Sequence, residues 1–150
     1  MITKDEIFNR LDHIYSRIPT MDCHHCHVCC GPIIWFEPEE MRIRLYLEQH
    51  DMPYIQWDNE EFKKHHMHCP YLSDDGCRIY PVRPLVCRLQ GVAEGLECPY
   101  NTSNRMADTE LAEVKTLFFS LLSDMGATKK YYGTRTMVNH LRHQTNGHEK

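Results

Sequence analysis

A chain of 150 residues is long enough for one domain and, on folding, removes about 70% of its unfolded-chain surface from water, so its core does not depend on disulfides. Its formal net charge of −4, with no basic run longer than Lys63-Lys64 or Lys129-Lys130, argues against a broad phosphate-binding surface and hence against bulk nucleic-acid binding. No stretch approaches the roughly 18 uninterrupted apolar residues of a membrane span. The polar start Met1-Ile2-Thr3-Lys4-Asp5-Glu6 lacks the apolar segment of a secretory signal, so no membrane association is expected and the expected compartment is the cytoplasm.

The first segment, residues 3–18, reads as a helix: Ile7, Leu11, Ile14 and Ile18 recur at spacings of four, three and four, Thr3 and Glu6 form a capping-box signal, and Pro19 stops the run. Residues 23–31 form a loop crowded with ligand-type side chains. The apolar run Ile33-Ile34-Trp35-Phe36 after it fits a buried strand or an extended lead-in. Pro38 suits the first helical position, with Glu39 and Glu40 beside the positive end of the helix dipole, and this second helix runs to about Gln49.

Between Cys69 and Cys98 three prolines and three glycines predict irregular, metal-organised chain, with Asp74-Asp75-Gly76 as a turn between Tyr71-Leu72 and Arg78-Ile79-Tyr80. The clearest helix spans 108–125, with Leu111, Val114, Leu117, Phe118, Leu121, Leu122 and Met125 on one face and Gly126 as its C-cap, placed to close the core over the cysteine loops. A shorter helix is expected from Thr136 to His143, so that the C-terminal helices occupy 108–143, and the polar residues 144–150 form a frayed tail. The expected architecture is a single α+β domain, mostly α, of about four helices with cysteine-rich metal-binding loops and little sheet.

Chemistry concentrates in the eight cysteines. In a reducing compartment such a set favours metal ligation over disulfide bonds. Cys23, Cys26 and Cys29 are separated by two residues each, and a two-residue spacer lets the chain curl so that successive sulfurs reach one ion at about 2.3 Å. Cys29 and Cys30 are adjacent, and neighbouring side chains of an extended backbone point to opposite sides, which suits two sites or a cluster better than one mononuclear ion. The second group, Cys69, Cys77, Cys87 and Cys98, brings the thiols to eight, enough for two four-cysteine centres. The cofactor is an iron-sulfur cluster, of the 4Fe-4S type, or zinc. Either centre, held by four thiolates, carries a charge of about −2 that the surroundings must offset, and Arg78, Arg83 and Arg88 bracket Cys77 and Cys87 for that purpose. His24, His25 and His27 in the first loop and His65, His66 and His68 before Cys69 are read as solvated or outer residues, because eight thiols already suffice. There is no Gly-rich phosphate loop, no His-Glu-x-x-His and no nucleophile elbow.

The run Cys23-His24-His25-Cys26-His27-Val28-Cys29-Cys30, together with Cys69-Pro70-Tyr71-Leu72, Cys77-Arg78-Ile79-Tyr80 and Arg83-Pro84-Leu85-Val86-Cys87-Arg88, resembles the CxxCxxCC, or YkgJ-like, family of zinc- or iron-chelating domains. The resemblance spans Cys23 to Cys98 and implies a metal-chelating domain. Some related proteins are described as flagellin lysine N-methylases or iron-sulfur oxidoreductases. The histidine clusters stand outside the family motif, and Leu89-Gln90-Gly91 replaces the aromatic-Pro pair expected after Arg88. Two functions follow as expectations. One is a binding module that holds, senses or delivers its metal or presents a surface to a partner protein, and the other is a redox or methyl-transfer enzyme that uses the cluster.

Overall fold

The computed structural model describes residues 1–20, 30–98 and 105–136. In it Thr3 opens the first helix, α1 (Lys4–Ser16), by accepting the Glu6 N–H at 3.2 Å, and Ile7, Leu11 and Ile14 turn inward, the periodicity the sequence predicts. The helix is shorter than the expected 3–18 because its last turn closes at Arg17 and Ile18, whose N–H groups bond the carbonyls of Ile14 and Tyr15.

The run after the cysteine loop is a strand, β1 (Ile34–Phe36), that buries Trp35 completely. It leads directly into α2 (Glu37–Gln49), with Pro38 in the first turn, where its missing N–H is not needed. The helix α3 (Asn59–Lys64) is absent from the sequence reading, although Asp58 caps it by accepting the Glu61 N–H at 2.9 Å. The expected turn at Asp74-Asp75-Gly76 closes a short antiparallel hairpin of β2 (Leu72–Ser73) and β3 (Gly76–Cys77), with Leu72 opposite Cys77 and Ser73 opposite Gly76. A 3₁₀ turn at Tyr80–Val82 and the five-residue α4 (Leu85–Leu89) follow. The helix α5 (Asp108–Asp124) matches its predicted face, with Val114, Phe118, Leu121 and Leu122 buried and Gly126 just beyond it at φ 65°.

The last element, β4 (Tyr131–Gly133), pairs antiparallel with β1, Trp35 opposite Tyr132. Gly133 is required there: a Cβ would sit 2.3 Å from the Ile33 carbonyl oxygen. Of the helix expected at 136–143 only Thr136 is described, and it lies in no helix or strand, its N–H donating to the Trp57 carbonyl. Residues 137–150 lie outside the described residues. Five α-helices and two two-stranded sheets among the described residues make a mostly α, α+β domain.

Two apolar clusters form the interior. In the first, α1 packs on α5, and Leu89, Val92 and Ala93 complete the contact. In the second, Trp35 and the α2 residues Ile43 and Leu47 pack against Cys69, Tyr71, Ile79 and Val82. Among the described cysteine loops, the expectation that α5 closes the core over them therefore holds for the chain around Cys87, where Leu85 and Leu89 pack on its cluster. Cys69 and Cys77 belong with α2 and β1.

Between the clusters lie two adjacent buried carboxyl groups, Glu39 and Glu40, in the first turn of α2. Consecutive helical side chains point about 100° apart, and these two serve different clusters. Glu39 accepts hydrogen bonds from the Tyr15 hydroxyl of α1 at 2.6 Å, from the Leu85 N–H of α4 and from the Phe36 N–H. Glu40 accepts from the Trp35 indole N–H at 2.8 Å and the Tyr54 hydroxyl at 2.9 Å, and it pairs with Arg44. The sequence reading assigned both to the helix dipole alone. Burial pushes the Glu39 carboxyl up from 4.5 to about 7, against the opposing pull of Tyr15, the two backbone N–H groups and Arg88.

Two predictions follow from these contacts. Gly133→Ala should force β4 from Ile33 and cost about 1–3 kcal/mol, read as a lowered urea midpoint. An acid held above its unfolded value is most favourable to folding below the unfolded pKa, and that contribution is lost as pH rises through the folded one. Between pH 4.5 and 8, wild type should therefore lose about 3 kcal/mol relative to Glu39→Gln, which has no such titration. Urea unfolding of both proteins at several pH values measures the difference, and parallel profiles would contradict it.

Candidate metal centre

The second cysteine group is delivered by the chain reversal after α3. His66 and Met67 adopt φ of 57° and 63°, left-handed values uncommon outside glycine, and the Met67 N–H returns to the Phe62 carbonyl at 2.7 Å. This double twist ends the helix and swings Cys69 back toward the exit of the first cysteine loop. There the Cys69 N–H donates to the Cys30 carbonyl at 3.0 Å, so residues 39 apart in sequence are fastened backbone to backbone.

The hairpin places Cys77 alongside. Cys69 is buried, and Cys30 and Cys77 are half-buried members of the same apolar cluster. Burial pushes the Cys69 thiol up to about 11, the Tyr71 N–H opposes that rise, and Cys77 adds to it. The structure thus brings Cys30, Cys69 and Cys77 into one region. Cys23, Cys26 and Cys29, with His24, His25 and His27, lie outside the described residues. Among the described residues no three His, Cys, Asp or Glu side chains stand together closely enough to hold an ion.

Cys87 sits half-buried on α4, and its N–H bonds the Pro84 carbonyl at 3.0 Å. Cys98 is half-buried at the end of the described segment, so the repeated Cys-Pro-Tyr at 98–100 is described only at its cysteine. Of the three arginines, Arg78 is exposed. Arg83 lies over the Tyr80 ring, 3.9 Å from its centre, and donates to the Tyr80 carbonyl. Arg88 donates to the carbonyls of Arg83 and Pro81, stacks 3.7 Å from the Tyr15 ring centre and stands near Glu39. Burial lowers its pKa, partly offset by Tyr15 and Glu39.

The histidines before Cys69 are exposed. His65 stacks on Trp57, with ring centres 4.2 Å apart, and its Nε2 lies 3.4 Å from Glu61; the His66 and His68 rings are 6.3 Å apart. Two features of the site were missed by sequence reasoning. One is α3, whose signal, Asp58 followed three residues later by Glu61, is a recognisable cap. The other is the carboxyl pair Glu39-Glu40, which no local pattern separates from an ordinary acidic first turn.

No helix among the described residues is long and apolar enough to cross a membrane. Comparison finds no matching curated protein and no matching solved structure. A family model does match residues 22–119, which contain all eight cysteines; the family is CxxCxxCC, described as "Putative zinc- or iron-chelating domain". Because that match covers roughly two-thirds of the sequence and includes the segment in which Cys30, Cys69 and Cys77 are gathered, the chain belongs to the CxxCxxCC family.

Proposed function

We propose that this chain is a cytoplasmic metal-chelating module whose cysteine thiolates hold an iron-sulfur cluster, of the 4Fe-4S type, or zinc. The ligands are drawn from Cys23, Cys26, Cys29 and Cys30 in the first loop and from Cys69, Cys77, Cys87 and Cys98 in the second group. The observation that carries the reading is the bond from the Cys69 N–H to the Cys30 carbonyl, which joins the end of the first loop to the start of the second group. Cys77 belongs to the same apolar cluster as Cys30 and Cys69, which supports drawing ligands from both halves of the family motif.

A bound centre would supply a multivalent positive charge that draws the thiols into their thiolate form and cross-links distant parts of the chain. The chain's own residues shape the environment. Trp35, Tyr71 and Ile79 pack around Cys69 and exclude water from it, the α3 reversal brings in Cys69 and the hairpin carries Cys77. Enclosure of this kind suits a closed centre that is held, sensed or delivered better than an open catalytic one. Arg78, Arg83 and Arg88 contribute the nearby positive charge of this reading, and protein partners would meet the module at its surface.

Metal analysis with visible spectroscopy tests the proposal on protein purified without air from iron-replete cells. Stoichiometric iron and sulfide with broad visible absorption, or stoichiometric zinc in a colourless protein, is the expected result. Cys69→Ser and Cys77→Ser should each lose most of the metal, while the double variant His66→Ala/His68→Ala keeps it. A chelator should melt much of the domain, because a structural ion contributes about 10–16 kcal/mol, as much as a whole domain's stability. A folded, anaerobically prepared protein free of iron and zinc would overturn the reading.

A further inference from the structure

We infer that Glu39 is the positioning residue for Cys87, acting from α2 on the start of the short helix that carries this cysteine. The inference rests on the reading of Cys87 as a ligand.

A five-residue helix makes too few internal hydrogen bonds to fix its own place or direction. Its N-cap is Pro84, which offers no side-chain bond to the first turn, so α4 begins with donors that need outside partners. One is supplied from 46 residues away: the Leu85 N–H donates to Glu39 Oε2. The same oxygen accepts the Tyr15 hydroxyl at 2.6 Å, and Glu39 is 1% exposed, so the carboxyl group cannot turn away into water.

The other end of α4 returns to the same point. Arg88, next to Cys87, lies on the Tyr15 ring and donates back to the carbonyls of Arg83 and Pro81. A ring of contacts thus runs from Glu39 to Leu85, along α4 to Arg88, across to Tyr15 and back to Glu39. Cys87 lies on that ring between its two contact points on α4. Leu85 and Leu89 of α4 pack against the α1–α5 cluster, on the Glu39 side, whereas Cys69 and Cys77 belong to the other cluster, away from these contacts. Loss of Glu39 should therefore loosen Cys87 selectively.

The test is a brief iodoacetamide pulse on anaerobically purified, metal-loaded protein, with alkylation of the Cys87 and Cys69 peptides measured by mass spectrometry. In wild type both should be protected. In Glu39→Ala, Cys87 should react about tenfold faster, the scale of losing one charge-assisted hydrogen bond, while Cys69 stays protected. Glu39→Gln keeps a carbonyl oxygen for the Leu85 N–H and should restore most of the protection. Equal protection of Cys87 and Cys69 in Glu39→Ala would overturn the inference, as would an equal rise at both. If Glu39→Ala does not fold, Tyr15→Phe serves instead: a rise at Cys87 alone supports the ring of contacts, and an equal rise at Cys69, or none at either, overturns it. Rapid alkylation of Cys87 in wild type, with full metal retention in Cys87→Ser, would remove the ligand reading of Cys87 and the inference with it. Protection in wild type with no effect of Glu39 removes the inference alone.

Discussion

The structure depends on two carboxyl groups taken out of water side by side. Leaving a carboxylate buried costs several kcal/mol unless donors surround it, and here each of the pair has three partners among the described contacts. Because those partners come from α1, β1, α4 and the chain around Tyr54, the need to satisfy them dictates how the elements meet. Apolar packing alone would let α1–α5 and the Trp35 cluster slide past one another, since hydrophobic burial has no direction. Hydrogen bonds to a fixed first turn do have direction, and they lock the register of one cluster to the other.

That lock matters for the cysteines because they are distributed across it. Cys69, brought in by the reversal after α3, and Cys77, on the hairpin, stand on the Glu40 side, and Cys87 on α4 stands on the Glu39 side. The fastening of Cys69 to Cys30 then sets where the first loop ends. A thiol buried as deeply as Cys69 ionises reluctantly. The same low-dielectric surroundings strengthen the attraction between a thiolate and a cation once both are present. On the proposed reading, binding an ion at this position would therefore be coupled to loss of the proton.

The sequence made some parts of this legible and not others, for physical reasons. Helices α1 and α5 bury one face, so their apolar residues repeat at helical spacing, and Thr3 and Gly126 mark their ends by local chemistry. The cysteine motif was equally plain, because ligand spacing is itself a local constraint. By contrast, β4 has three residues, Tyr131-Tyr132-Gly133, and its partner β1 lies almost a hundred positions away, so nothing local announces the pairing. The burial of Glu39 and Glu40 is likewise a tertiary fact. An acidic first turn looks the same in sequence whether it faces water or a tyrosine hydroxyl brought from another helix.

Arg88 shows how position along the chain and position in space diverge at such a site. Its adjacency to Cys87 suggests a charge placed to balance thiolates, but on a helix neighbouring side chains diverge, and its guanidinium is committed to Tyr15 and two carbonyls in the company of Glu39. A positive charge there lowers the cost of the buried carboxyl group first, and any effect on a metal centre follows through the low-dielectric interior rather than by contact. On the proposed reading, a centre carrying about −2 would draw its closest compensation from dipoles, chiefly backbone N–H groups, which cost no burial of further charge. The Tyr71 N–H already opposes the upward shift of the Cys69 thiol in this way. On the proposed reading Arg88 thus serves the carboxyl group that holds the start of α4 directly, and the thiolates only at longer range.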